Sequence, residues 1–166
     1  MLKCWCLRRR WGQIMSIRRV YVSEDKAELI RSLRGAENPT APFQTYADVI
    51  TFAAVLGAKR GRKTPLGKTS RKEPDPIPQD QFQARGYEPV INLIAITDTK
   101  DAKILALDEE SSNIRIQIFE EYANGGLEVL QNELRGSVDY TDTIVLLLLA
   151  EKDTKPIEDF DLSRFL

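Results

Sequence analysis

The chain has 166 residues, 42% apolar and 30% charged, with a formal net charge of -1, a composition suited to one globular core or two small ones. Its longest apolar run, residues 144–150, falls well short of the roughly 20 residues a bilayer-spanning helix needs, so no membrane partner is expected. There is no histidine, which removes Ser-His-Asp and Cys-His triads, His-ligated metals and imidazole general bases.

Residues 1–14 are basic and aromatic and lack the apolar stretch of a secretory signal. Met15 then opens MSIRRVYVSEDK, which has the look of an ordinary protein start, so residues 1–16 are expected to be a disordered extension. Cys4 and Cys6 are the only cysteines. They are too close for a relaxed disulfide and too few to close a zinc site, so free thiols, no metal and a cytoplasmic location are expected.

The run Ile-Arg-Arg-Val-Tyr-Val at 17–22 is β-branched and aromatic and predicts a strand. Ser23 offers an N-cap, Glu24 and Asp25 suit a first helical turn, Ala27, Ile30 and Leu33 recur at helical spacing, and Gly35 stops the helix. After Pro39 and Pro42, Thr45 and Asp48 have the spacing of a capping box. The helix they start carries an apolar face of Tyr46, Val49, Ile50, Ala53 and Leu56 and ends in the basic run 59–63.

Residues 64–80 hold Pro65, Pro74, Pro76 and Pro78 and are expected to be a linker. Beyond it, residues 90–96 suit a helix in preference to a strand. A long helical stripe over 109–134 runs through Ile118, Tyr122, Gly126, Leu130 and Leu134. Gly125-Gly126 within it marks a break, a kink or a close backbone approach. A Leu-rich element covers 141–152. The expected architecture is mainly α: a strand-helix-helix basic subdomain at 17–63, the linker at 64–80 and a helical acidic subdomain at 81–166.

The small net charge hides a polarity. Residues 1–72 contain 16 Lys and Arg against 5 Asp and Glu, whereas residues 73–166 contain 8 against 20. Either the N-terminal half faces a polyanion, nucleic acid being the obvious one, or the two halves attract each other. Lys59, Arg60, Arg62, Lys63, Lys68, Arg71 and Lys72 have the spacing of phosphate contacts, which would serve any nucleotide sequence.

The strand-helix-helix order also fits a ribbon-helix-helix plan, in which paired strands from two chains enter the major groove. Arg19, Tyr21 and Ser23 would then face the bases, or in the other register Arg18, Val20 and Val22. Gly67-Lys68-Thr69 imitates the end of a phosphate-binding Walker loop, but position 62, where that pattern needs glycine, is Arg62. Asp75, Asp98 and Lys100 outline a magnesium nuclease, although Asp75 lies in the proline-rich stretch with nothing to hold it rigid. Glu120, Glu121, Glu128 and Glu133 are expected to form a solvated helix face.

Residues 43–62 (FQTYADVITFAAVLGAKRGR) and 117–130 (QIFEEYANGGLEVL) resemble the DNA phosphorothioation-associated protein 4 family, as does the closing DLSRFL at 161–166. The similarity extends over about residues 17–166. It implies an accessory protein of a bacterial defence system that places sulfur in the DNA backbone or restricts DNA lacking the mark. It carries no catalytic residues across. The expectation is therefore a non-enzymatic DNA-binding or adaptor protein without cofactor, whose partner is DNA or a phosphorothioation or restriction subunit. A homo-oligomer is left open. The alternative is a ribbon-helix-helix transcriptional regulator of the same gene cluster. The residues expected to make contact are Arg18, Arg19, Tyr21, Lys59, Arg60, Arg62, Lys63, Lys68, Arg71 and Lys72.

Overall fold

The computed structural model of the chain describes residues 18–35, 41–71, 73–74 and 76–153. The expected extension at 1–16, Lys72, Asp75 and the closing motif at 161–166 lie outside the described residues. The fold is mainly helical: β1 (Arg19–Val20), a 3-10 turn (Glu24–Lys26), α1 (Ala27–Ser32), α2 (Tyr46–Lys59), β2 (Ile77–Pro78), α3 (Gln79–Ala84), α4 (Glu88–Thr99), a second 3-10 turn (Ala102–Leu105), α5 (Glu109–Glu133) and α6 (Tyr140–Asp153).

Local chemistry sets where the long helices begin. At α2, Thr45 Oγ1 accepts from Asp48 N at 3.3 Å and Thr45 N donates to the Asp48 carboxylate at 2.9 Å, so the capping box read from the sequence is complete. Asp108 caps α5 by accepting from Ser111 N at 2.7 Å. Pro89 fits the first turn of α4, where no intrahelical N–H is required.

The centre of the molecule is α2 laid along α5, and the glycines explain how closely they meet. A methyl group on Gly126 would stand 1.8 Å from the Ala53 carbonyl oxygen, and one on Gly57 would stand 2.1 Å from the Tyr122 carbonyl oxygen. Gly125-Gly126 thus neither breaks nor ends α5, which continues unbroken to Glu133. The helical penalty of two glycines is offset by backbone-to-backbone packing. Val49, Ile50 and Ala53 from α2 are buried in the same cluster as Phe119, Leu127 and Leu130 from α5, and Phe82 of α3 meets Phe119 edge-on at 5.6 Å.

Among the described residues, those from 18–63 and those from 81–153 share one cluster, to which Val20, Val22 and Ile30 also belong. Within 64–80, expected to be a linker, Thr64, Ser70 and Ile77–Pro78 are tied to these elements. Thr64 N donates to Glu121 O at 3.0 Å, Ser70 N to Val22 O at 2.9 Å, and β2 pairs antiparallel with β1 in the register Arg19 to Pro78 and Val20 to Ile77.

That pairing corrects the ribbon-helix-helix alternative. The strand finds its partner within its own chain, and Tyr21 N donates to the Glu120 carboxylate at 2.6 Å. Pairing with β2 stops at Val20, where Tyr21 turns its N–H to α5, and beyond it Ser23 forms an antiparallel bridge with Thr69. The first helix is also shorter than its periodicity suggests: Ser23 makes no side-chain cap, and a 3-10 turn precedes the six residues of α1. At the other end, α6 buries Ile144 and Leu147 and leaves Val145, Leu146, Leu148 and Leu149 exposed.

Candidate functional site

The basic run leaves α2 at its C-terminus, where cations are favoured by the carbonyl end of the helix. Gly61 adopts a φ of +61°, the left-handed conformation open to glycine, and turns the chain sharply. Arg62 N then donates to Gly57 O at 2.8 Å. On the other side the Arg62 backbone presses on α5, since a methyl group at Gly125 would lie 2.0 Å from the Arg62 carbonyl oxygen. With Thr64 N bound to Glu121 O, the main chain from 60 to 64 is clamped to the helix pair while the side chains of Lys59, Arg60 and Arg62 are exposed. Arg60 and Arg62 border an open groove of about 300 Å³ together with Val129, Asn132 and Glu133.

Lys63 points elsewhere. Its Nζ lies 2.8 Å from the Asp98 carboxylate and 3.5 Å from that of Glu121, and Tyr122 Oη donates to Asp98 at 2.8 Å. Burial alone would lower the Lys63 pKa and raise that of Asp98, but their mutual hydrogen bond and charge outweigh it, so Lys63 is raised and Asp98 lowered. Lys68 pairs with Glu24 at 2.7 Å. Arg71 is exposed.

The remaining expected residues surround β1. Arg18 donates to Ser112 Oγ on α5, Arg19 donates to Pro76 O at 3.3 Å, and Tyr21 has an exposed ring. Lys72 lies outside the described residues. The fold therefore clamps the main chain at 60–64 under exposed side chains, turns Lys63 and Lys68 of the same basic run to carboxylates of the chain, and engages Arg18 and Arg19 separately at the strand.

The acidic face of α5 needs a second correction, because Glu120, Glu121 and Glu128 are not simply solvated. Burial drives the Glu120 carboxyl up to about 7, against the hydrogen bond from Tyr21 N that favours the anion. Glu121 faces Lys63, and Glu128 accepts from Thr64 Oγ1 at 3.1 Å. Asp98, read as half of a nuclease site, is committed to Lys63 and Tyr122 instead. Sequence reading also passed over the group at the start of α2, where Tyr87 Oη donates to Asp48 at 2.7 Å and Arg85 lies 3.1 Å from the same oxygen. For the Lys63 contacts the available signal was the opposite charge of the two halves, which shows that attraction exists but not between which residues, whereas the Asp48–Arg85 pair runs against that polarity.

In comparisons with known proteins, the family model described as DNA sulphur modification system-associated protein 4 matches residues 19–165. No curated protein and no solved structure matches the chain.

Proposed function

The chain belongs to the DNA sulphur modification system-associated protein 4 family, and from that premise we propose that it is a non-catalytic accessory component that meets an anionic surface through Lys59, Arg60 and Arg62. That surface is the DNA backbone or an acidic face of a larger modification or restriction subunit. The observation that carries the proposal is the clamp on the main chain of residues 60–64, which holds exposed cations on a rigid support. A preorganised cluster loses less conformational entropy on binding than the same residues on a free loop. Arg71 extends the contact, whereas Lys63 and Lys68 serve mainly within the chain.

Filter binding of duplex DNA over a salt series tests the DNA arm, because each phosphate contact adds nearly one unit to the slope of log affinity against log salt. The double variant Arg60→Glu, Arg62→Glu is expected to flatten that slope. If the native protein shows no DNA affinity, retention of a modification or restriction subunit on co-purification from its host supports the adaptor arm. Equal retention by the double variant would remove this surface from the interface.

A further inference from the structure

We infer that the cleft between the first 3-10 turn, residues 64–68 and α5 is a binding site for a guanidinium group, supplied by a small molecule or by an arginine side chain of a partner. This goes beyond the reading of residues 59–62 and does not rest on it. The cleft has a volume of about 510 Å³, and its lining includes Ser23, Glu24, Asp25, Lys68, Asn124 and Glu128.

Two of its walls carry unfinished polar chemistry. Ser23 is 3% exposed and Asn124 7%, yet Ser23 Oγ and Asn124 Oδ1 have no hydrogen-bond partner among the described residues. The amide nitrogen of Asn124 donates to Pro65 O at 3.0 Å and Thr64 O at 3.4 Å, which turns its oxygen away from that loop. Buried polar atoms without partners are costly, and native proteins leave few of them. Two around one cleft point to a ligand that donates hydrogen bonds.

Charge selects which donor. Lys68 pairs with Glu24 at 2.7 Å, and Lys26 with Asp25 at 2.8 Å. Glu128, one helical turn from Asn124, has no cationic partner among the described residues and accepts only from Thr64 Oγ1. Among the described residues, Glu128 is thus the carboxylate of this cleft without a cation beside it. No three His, Cys, Asp or Glu side chains among the described residues are grouped to hold a metal ion. A guanidinium has five N–H donors in a plane and pairs well with a carboxylate, so it suits Glu128 in a cleft whose walls also carry an unpartnered amide oxygen and hydroxyl. Phosphate is disfavoured: Lys68, the lysine of the Walker-like tripeptide, is already held by Glu24 and three carboxylates line the cleft.

Isotope-labelled full-length protein titrated with agmatine, with a blocked Gly-Arg-Gly peptide and with inorganic phosphate tests this by NMR. The expected result is saturable binding of a guanidine in or below the millimolar range, with amide shifts centred on Ser23, Asn124 and Glu128. Tighter binding of agmatine identifies a small-molecule ligand, and tighter binding of the peptide a partner's arginine. Glu128→Gln should weaken binding at least about tenfold and Ser23→Ala a few-fold, both with unchanged helical circular dichroism. The inference is overturned if neither guanidine saturates, if phosphate produces the same shifts, or if folded Glu128→Gln binds as the native chain does.

Discussion

Gly126 on α5 stands so close to Ala53 on α2 that a methyl group on its Cα would lie 1.8 Å from the Ala53 carbonyl oxygen and 2.6 Å from the carbonyl carbon. Both atoms belong to the main chain of the facing helix, so the contact cannot be relieved by a rotamer change. Gly126→Ala is expected to destabilise the fold by about 2 kcal/mol or more, because overpacking exceeds the roughly 1 kcal/mol gained in helix propensity. Urea denaturation monitored by circular dichroism provides the check; an unchanged or raised midpoint would mean that the helices are further apart than described.

The start of α2 ranks two substitutions. Thr45→Ala removes one half of the capping box and should cost about 1 kcal/mol. Asp48→Ala should cost more, about 2 kcal/mol, since it also strips the acceptor from Tyr87 and Arg85. Burial alone would raise the Asp48 pKa, but hydrogen bonds from Tyr87 and Thr45 hold it below its ordinary 3.8. Its contribution is thus present above that value and lost as pH falls through the depressed pKa. Acid unfolding should start at higher pH when Tyr87→Phe removes one of these bonds.

Glu120 gives the opposite pH dependence. Its carboxyl is raised from 4.5 to about 7 by burial, so the folded state holds a proton that the unfolded chain has released. The associated stability is complete below about 4.5 and disappears as pH rises through about 7, with a ceiling of about 3 kcal/mol from linkage. Thermal melts between pH 5 and 8 should show a falling midpoint that Glu120→Gln makes markedly flatter. The same slope in both proteins would assign the effect to other groups.

Lys63 and Arg62 are neighbours in sequence with different duties. Lys63→Ala should cost stability by about 1 kcal/mol, because it leaves Asp98 and Glu121 without their shared cation, and should change anion binding little. Arg62→Ala should leave the melting temperature nearly unchanged and weaken anion binding. Measuring both properties on both variants checks the division; equal loss of anion binding would restore Lys63 to the contact surface.

Much of this architecture could be read locally. Thr45 and Asp48 lie three residues apart and complete one box, the stripe from Ile118 to Leu130 lies on one helix, and Gly125-Gly126 marked a break, a kink or a close approach, of which the structure shows the last. Caps and periodic faces are governed by residues within about four positions of each other, which a single sequence displays directly. The sequence did not say that Gly126 would meet Ala53, that Lys63 would choose Asp98 and Glu121 over solvent, or that Tyr21 N would bind Glu120. Those contacts join segments far apart in the chain, and their register is decided by how closely α2 and α5 pack. Net attraction between a basic and an acidic half could be counted in advance, but the particular pairs, such as Lys63 with Asp98 and Lys68 with Glu24, needed the tertiary structure, because side-chain direction follows from backbone placement.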